Sequence, residues 1–303
     1  MRLWMAVAMA LGGVAVAAWV FPPLRLAGLV LAGRSPECPF GQALRSEENL
    51  RQQTAIKDRL LAGSRRVQTD AAGYEQWETP KGRYWIPAGS QYVLPFNLAE
   101  QERKIYGAPP HFVRPGDIVL DCGANVGVFV REALNAGARL VVAIEPAPEN
   151  VECLRRNFAK EVTDGRVIVY PKGVWDREEW LPLRIDRHNS AADSFVMHPE
   201  GAQETTEKLP LTTIDQLVSE LKLPRVDFIK MDIEGAEPRA LRGARSTLAR
   251  FHPRISVSAY HAPDHPSLLP AIVREAWKDY RVECGPCALT PEKRIRPDIL
   301  YFH

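Results

Sequence analysis

The chain has 303 residues, of which 46% are hydrophobic and 25% are charged, and its formal net charge is +2. This composition is that of a globular protein with one sizeable core, and the length does not exclude a second small domain. Because the net charge is small and Lys and Arg form no dense patch interleaved with aromatic residues, we set nucleic acid aside as a main partner.

The N-terminal segment from Leu3 to Leu24 contains no charged residue. As a helix rising about 1.5 Å per residue, it is long enough to cross about 30 Å of hydrocarbon. A cleavable signal peptide is the alternative, since Ala15-Val16-Ala17 is a small-residue cleavage sequence. More arginines follow the segment than precede it, and the positive-inside rule then places the rest of the chain in the cytoplasm. We therefore predict an uncleaved, single-pass transmembrane helix within an anchor of residues 1–33.

The cysteines are odd in number and widely scattered, which predicts no disulfide framework and favours a reducing compartment. They are Cys38, Cys122, Cys153, Cys284 and Cys287. Cys284-Gly-Pro-Cys287 matches the C-x-x-C redox pattern, but such a motif should follow an early strand and begin a helix. Its place near the C-terminus favours a turn between two strands.

Residues 34–95 are predicted to link the anchor to the body of the protein. The stretch from Ser46 to Ala62 begins with a helix-capping residue and has acids in its first turn, so it predicts a short helix. The aromatic-rich stretches YEQWET and RYWIP are separated by Pro80-Lys81-Gly82, which predicts a β-hairpin.

Residues 96–303 are predicted to form one domain, in which short apolar strands alternate with amphipathic helices from Asp117 onward. This alternation indicates an α/β fold with a doubly wound, mainly parallel sheet and right-handed crossovers. Ligands of such sheets bind outside the carboxyl ends of the strands. The residues that end each strand are therefore the candidates for chemistry.

The first two strands of this domain end in residues that suit a nucleoside cofactor. Asp121, Gly123 and Gly127 follow the first strand, and Glu145 ends the second. Glycines after a strand allow a tight turn and a close ligand approach, while an acid at the next strand end can accept both ribose hydroxyls. The alternative interpretation is structural, with Asp121 capping a helix and the glycines shaping a turn.

Two features distinguish between cofactors. A dinucleotide-binding motif would have glycine where Asn125 stands, and it avoids a carboxylate such as Asp121 beside the pyrophosphate because like charges repel. S-adenosylmethionine has no pyrophosphate and carries an ammonium and a sulfonium, so an acid is favourable there. The charge argument selects S-adenosylmethionine over a nicotinamide dinucleotide.

Several segments together resemble the FkbM-type family of S-adenosylmethionine-dependent methyltransferases, over a region from about Phe96 to Ser258. The segments are DIVLDCGANVGVFV, VVAIEPAPENVECLRRN, Gly173 to Asp176, LTTIDQLV and DFIKMDIEGAEPRAL. KMDIEGAE is the most specific of these, because DxGxxxG alone is shared by many class I methyltransferases.

The resemblance implies a seven-stranded class I fold and O-methylation of a hydroxyl on a sugar, glycan or polyketide-like molecule. It also implies that Asp121, Gly123, Asn125 and Gly127 shape the methionine end of the cofactor pocket. By the same resemblance, Glu145 holds the ribose, and the loop with Val174 and Trp175 flanks the adenine. A membrane anchor is not part of the family pattern, and it shifts the expected acceptor towards a lipid-linked molecule.

The catalytic candidates follow the fourth and fifth strands of the domain. Methyl transfer is an in-line displacement, so the protein must align the acceptor oxygen and remove its proton. Asp232, Glu234 and His261 are expected to converge on the acceptor, with His261 as general base. A divalent cation held by the same three side chains is an alternative that we do not favour, because acids beside a histidine are common without a metal. Glu237 directly precedes Pro238 and is interpreted as a helix start.

Two other functions remain as alternatives at the level of sequence. One is a nicotinamide-dependent oxidoreductase, which the charge of Asp121 disfavours. The other is a non-catalytic protein of methyltransferase-like fold that serves as a membrane scaffold.

Overall fold

The computed structural model describes residues 21–186, 189–198 and 202–303. The helices are α1 (Pro22–Leu31), α2 (Phe40–Ala43), α3 (Ser46–Ala62), α4 (Val93–Glu102), α5 (Val128–Asn135), α6 (Pro148–Asn157), α7 (Ala159–Thr163), α8 (Ile214–Glu220), α9 (Glu237–Arg242), α10 (Arg245–Phe251) and α11 (His265–Ala276). The strands are β1 (Arg65–Thr69), β2 (Glu75–Thr79), β3 (Gly82–Ile86), β4 (Ile118–Cys122), β5 (Leu140–Ile144), β6 (Val167–Tyr170), β7 (Gly173–Val174), β8 (Glu179–Ile185), β9 (Gln203–Thr212), β10 (Phe228–Met231), β11 (Arg254–Ser258), β12 (Val282–Cys284), β13 (Cys287–Leu289), β14 (Ile295–Pro297) and β15 (Ile299–Phe302).

The main sheet has seven strands in the order β12-β15-β11-β10-β4-β5-β6. The strands β4, β5, β6, β10 and β11 are parallel, and β15 runs antiparallel to both of its neighbours. The predicted α/β class and the mainly parallel, seven-stranded sheet are thus confirmed. The carboxyl ends of β4, β5, β10 and β11 lie along one edge of the sheet, where the candidate residues follow them.

Burial on both faces explains why the central strands are apolar. Every residue of β4 and β10 is buried, and helices cover both faces of the sheet, as a parallel sheet requires. The exceptions to the apolar pattern are Asp121 in β4 and Lys230 in β10, which are register partners on adjacent strands. Charged residues in the middle of a buried sheet need a partner, and each of these has the other.

The elements predicted before the domain are present. The helix from Ser46 to Ala62 is α3, and the predicted hairpin is formed by β2 and β3. The antiparallel strand β1 adds to this hairpin and makes a three-stranded sheet. The predicted boundary between residues 95 and 96 lies inside α4 (Val93–Glu102).

This N-terminal region packs against the main body. Leu60 of α3, Tyr84 of β3 and Leu94 of α4 share a buried cluster with Val128 of α5. The side chain of Asn157 accepts a hydrogen bond from the backbone nitrogen of Trp85 at 2.6 Å and donates to its carbonyl oxygen at 3.0 Å. The region therefore shares its core with the body.

The predicted transmembrane helix is wrong. Among the residues that the structure describes, no helix combines the length and the apolar character needed to cross a membrane. The helix α1 has 10 residues, Leu26 is buried in a cluster that includes Ile295, and Arg25 forms an ion pair with Glu47. A helix of that length rises only about 15 Å, half of the hydrocarbon thickness. Residues 1–20 of the predicted anchor lie outside the described residues.

The prediction that the cysteines are unpaired is wrong for one pair. Cys38 and Cys287 form a disulfide across a sequence separation of 249 residues. The disulfide ties the segment between α1 and α2 to β13. The segment from Cys284 to Cys287 connects β12 to β13 and is a turn between two strands, as predicted. Cys284 stays a free thiol that donates to the carbonyl oxygen of Glu37 at 3.0 Å. The pairing has no local signature, because its two residues are brought together only by the complete fold.

We expect replacement of both Cys38 and Cys287 by serine to lower the free energy of unfolding by about 2–4 kcal/mol, because the crosslink restricts the unfolded chain. The measurement is thermal unfolding with and without a thiol reductant. Reductant should lower the Tm of the wild type and leave that of the double variant unchanged. Cys284→Ser is the matched control and should respond to reductant as the wild type does. An equal response in the double variant would refute the assignment of the crosslink.

Candidate functional site

A buried ion pair lies at the centre of the site. The ammonium of Lys230 is 3.3 Å from the nearer carboxylate oxygen of Asp121 and donates to the carbonyl oxygen of Gly123 at 2.8 Å. Burial raises the pKa of Asp121 to about 6, against the opposing charge of Lys230. Burial by itself would lower the pKa of Lys230, but the charges of Asp121 and Asp232 outweigh it and raise that pKa. Both oxygens of Asp121 are fully buried, and the ammonium of Lys230 is the charged group that faces them.

Two glycines make the turn after β4 sterically feasible. Gly123 has φ +79°, and a Cβ there would lie 1.9 Å from the carbonyl oxygen of Asp232. Gly127 has φ +91°, and a Cβ there would lie 2.1 Å from the ring of Phe158. Asn125 between them also has a positive φ, of 47°. A larger residue at Gly123 would push the turn away from the loop that follows β10, and one at Gly127 would push it away from Phe158.

Glu145 follows β5, and its carboxylate faces the same turn. One of its oxygens accepts from the backbone nitrogen of Asn125 at 2.8 Å and the other from that of Ala147 at 3.0 Å. Burial raises the pKa of Glu145 to about 7, although these hydrogen bonds act in the opposite direction. A carboxylate has about four acceptor positions, so two remain for ligand hydroxyls.

A first cavity lies at the carboxyl edge of the sheet. Its lining includes Gly123, Asn125, Glu145, Lys230 and Asp232, whereas Asp121 and Gly127 lie behind this lining. Its volume is about 80 Å³, less than the roughly 300 Å³ at which small-molecule pockets begin. Ser190, in the segment after β8, bounds the cavity on one side, and its carbonyl oxygen accepts hydrogen bonds from the side chains of Asn125 and Asn150.

Val174 and Trp175, the two residues of the loop from Gly173 to Asp176 that were predicted to flank the adenine, lie in different places. Val174 lines the first cavity. Trp175 is buried behind it, with its ring 6.4 Å from that of Phe195 and beneath the guanidinium of Arg239 at 4.7 Å. Trp175 thus supports the loop and is not among the residues that line the cavity.

The side chains of the three predicted catalytic residues, Asp232, Glu234 and His261, lie close to one another. The Nε2 atom of His261 lies 3.3 Å from Glu234 and 3.7 Å from Asp232. Its Nδ1 atom lies 2.9 Å from Glu237, which is fully buried and also accepts from the backbone nitrogen of Ile233. Glu237 does begin α9, as predicted, but it also orients the imidazole.

Burial and the neighbouring charges shift the pKa values of His261, Glu234 and Asp232. Burial acts to lower the pKa of His261, but the charge of Glu237 and the contact with Glu234 outweigh it and raise that pKa well above the usual value. Burial raises the pKa of Glu234. For Asp232 burial is opposed by the positive charges of Lys230 and His261, and its pKa is lowered. The histidine therefore favours its protonated form and becomes a strong base once it loses the proton.

Two tyrosines fix the position of Asp232. Tyr106 donates a hydrogen bond to one of its carboxylate oxygens at 2.7 Å, and Tyr260 donates to the other at 3.3 Å. Asp232 also lines both the first cavity and a second, larger one, and Glu234 does the same. These two acids mark the place where the cavities adjoin.

A cation could be held by the same side chains. Asp232, Glu234 and His261 offer ligand atoms within 4.8 Å of one another, and so do Glu237, His261 and His265. Oxygen-rich sets of this kind suit hard divalent ions, but acids beside a histidine are common without a metal. A metal remains an alternative that we do not favour.

Sequence reasoning missed several contributors. One is Lys230, which pairs with Asp121. A lysine in an otherwise apolar strand is the sequence signal for a buried partner. Another is His265, which lies 3.7 Å from Glu237. Tyr106 carries no sequence signal, because it reaches Asp232 only through the packing of the segment after α4.

The chain resembles known proteins over its central part. Residues 121–281 match the family model of the methyltransferase FkbM domain. The 31-O-demethyl-FK506 methyltransferase FkbM of Streptomyces tacrolimicus is 26% identical over 158 residues, which cover 43% of this chain and 60% of that protein. The 2-O-methyltransferase NoeI of Sinorhizobium fredii is 26% identical over 153 residues, covering 45% and 61%. The hexuronic acid methyltransferase AglP of Haloferax volcanii is 29% identical over 140 residues, covering 44% and 52%. The matches thus span little more than half of the length of these curated relatives.

We expect Glu237→Gln to lower the pKa of His261, because a neutral amide no longer stabilises the imidazolium while its oxygen can still accept from Ile233. The measurement is an NMR titration of the His261 ring, assigned by the signal that disappears in His261→Asn. Glu178→Gln, at an exposed position, is the control and should leave the titration unchanged. An unaltered pKa of His261 in Glu237→Gln would show that Glu237 does not set its protonation.

Proposed function

Since the chain belongs to the FkbM methyltransferase family, we propose that it transfers a methyl group from S-adenosylmethionine to a hydroxyl oxygen of a sugar-like acceptor. The observation that carries the proposal is that Asp232 and Glu234 line both adjoining cavities and are contacted by His261. A methyl donor in one cavity and an acceptor in the other would meet where these side chains lie.

The residues of the first cavity fit S-adenosylmethionine. Glu145 has acceptor positions left for two ribose hydroxyls. Lys230 lines this cavity and suits the carboxylate of the methionine part, while the negative charge of Asp121 lies directly behind Lys230. The glycine at position 123 keeps side-chain atoms out of this space. S-adenosylmethionine supplies an electrophilic methyl group on its sulfonium.

The chain's own residues perform the proton transfer. Glu237 holds the imidazole through Nδ1, so that Nε2 faces Glu234 and Asp232. Neutral His261 takes the proton of the acceptor hydroxyl at Nε2, and the resulting imidazolium is stabilised by the three surrounding acids. General-base catalysis of this kind contributes about 10²–10⁴-fold in rate.

The sugar-like acceptor is supported by the relatives. One of them is named a 2-O-methyltransferase and another a hexuronic acid methyltransferase. The second cavity has a volume of about 640 Å³, large enough for a sugar unit, and polar side chains such as Asn49 and Gln53 line part of it.

We expect the purified protein to bind S-adenosylmethionine and Glu145→Ala to lose that binding, because the ribose hydroxyls lose their acceptor. The measurement is titration calorimetry, with the Tm of each variant as a check on folding. Glu178→Ala at an exposed position should bind as the wild type does. NADH serves as the comparison ligand and should give no heat. Unchanged affinity in a folded Glu145→Ala variant would refute the assigned cofactor site.

We expect the rate of methyl transfer to rise with pH through a midpoint above 6.5. The pKa of His261 is raised, so below that midpoint the residue is protonated and cannot accept the hydroxyl proton. Glu237→Gln should move the midpoint to lower pH.

His261→Asn should lower the rate by about 10²–10⁴-fold with S-adenosylmethionine binding retained. The measurement is S-adenosylhomocysteine formation with the best acceptor from a panel of glycosides and uronic acids. Wild-type turnover in His261→Asn would exclude this residue as the base.

A further inference from the structure

The second cavity has two ends of different chemistry. At one end lie Asp232 and Glu234, where the cavity adjoins the first. Its lining also includes two arginines, Arg103 directly after α4 and Arg296 in β14. The proposed reaction uses the acidic end and leaves the arginines without a role.

Arg296 is held in place but incompletely paired. Its guanidinium lies over the ring of Tyr260, 5.3 Å from the centroid. The Nη1 atom is buried and has no hydrogen-bond partner among the residues that the structure describes. The carboxylate of Asp298 is 3.9 Å from it, beyond hydrogen-bond distance. A buried guanidinium nitrogen without an acceptor is costly, so a ligand acceptor at this position would stabilise it.

Arg103 adds a second positive charge. Its Nη1 atom donates to the side-chain oxygen of Gln53 at 2.9 Å, which is a neutral partner. Besides Asp232 and Glu234, two further acids line this cavity, Glu100 and Asp298. Glu100 also lines the first cavity, as Asp232 and Glu234 do, so these three acids lie where the cavities adjoin. Away from that place, the two guanidinium groups face one carboxyl group, Asp298, whose pKa burial raises to about 6.

Tyr260 connects the two ends. Its hydroxyl donates to Asp232 while its ring lies beneath Arg296. Tyr260 therefore lies between Asp232 and Arg296 and contacts both. Tyr92 and Phe96 line the same cavity with their rings 64% and 43% exposed. Exposed aromatic rings beside polar groups offer the apolar face on which a sugar ring can pack.

We propose that Arg296, assisted by Arg103, binds an anionic group of the acceptor, a carboxylate or a phosphate, and so places a hydroxyl of the same sugar unit beside Asp232 and His261. This inference rests on the proposed function, because it assigns the acceptor to the second cavity. A planar guanidinium matches either oxyanion with two parallel hydrogen bonds. Arg296 is thereby a specificity-determining residue.

The test measures binding of sugars to the full chain in the presence of S-adenosylhomocysteine, by titration calorimetry. The probes are methyl glucuronide for the carboxylate, glucose 6-phosphate for the phosphate, and methyl glucoside as the neutral reference. We expect at least one anionic sugar to bind about tenfold more tightly than the glucoside, since hydrogen bonds to charged groups contribute about 1.5–3 kcal/mol. The anionic sugar that binds more tightly shows whether the site prefers a carboxylate or a phosphate.

Arg296→Gln should reduce this preference to within about threefold without altering the affinity for S-adenosylhomocysteine, which binds in the other cavity. Arg294→Gln, at an exposed position two residues away, is the matched control and should keep the preference. Arg296→Lys keeps the charge but not the planar fork, and it should retain part of the preference. If Arg296→Gln does not fold, Arg296→Lys tests the proposal in its place.

Three results would overturn the inference: equal binding of all three sugars, no binding of either anion, or a preference that survives in the folded Arg296 variants. Failure of the wild type to bind S-adenosylhomocysteine would instead refute the proposed function. The two failures are therefore distinguishable in the same set of titrations.

Discussion

The buried ion pair between Lys230 and Asp121 is the interaction on which the rest of the site depends. It joins β10 to β4 at the middle of the sheet, where neither charge is accessible to water. Taking two charges out of water costs several kcal/mol for each ion, and loss of one partner from such a pair typically costs about 3–5 kcal/mol. The hydrogen bond from Lys230 to Gly123 extends the pair to the glycine turn, which packs directly against Asp232. The pair thus supports Gly123 and Asp232, which both line the first cavity.

Asp232 links the two halves of the candidate site. It is close to the Lys230 charge on one side and to His261 on the other, and the two tyrosines bind its oxygens. Its negative charge favours the protonated forms of both Lys230 and His261. One carboxylate thus lies between the proposed cofactor site beside Lys230 and the proposed base, His261. Arg296 is connected to the same carboxylate through Tyr260.

Two predictions from the sequence were wrong, the transmembrane helix and the absence of a disulfide. Both concern features for which local sequence is a poor guide. An apolar segment predicted a membrane helix within an anchor of residues 1–33, but the described part of that anchor, which contains α1, packs on α2 and on strands near the C-terminus. Hydropathy measures a preference for an apolar environment and does not distinguish lipid from a protein core. The cysteines were scattered and odd in number, yet two of them meet across most of the chain. Spacing in sequence carries no information about such a long-range pair.

The sequence by itself determined the alternation of strands and helices, the acids and glycines at the ends of β4 and β5, and the family, because these depend on periodicity and on short motifs. It also named Asp232, Glu234 and His261, since strand ends of a parallel sheet lie at one edge. Only the tertiary structure decided which partners these residues have: Lys230 for Asp121, Glu237 for His261, and Tyr260 between Asp232 and Arg296. The physical reason is that strand order and packing bring together residues far apart in the chain, and the resulting burial and charge set their protonation.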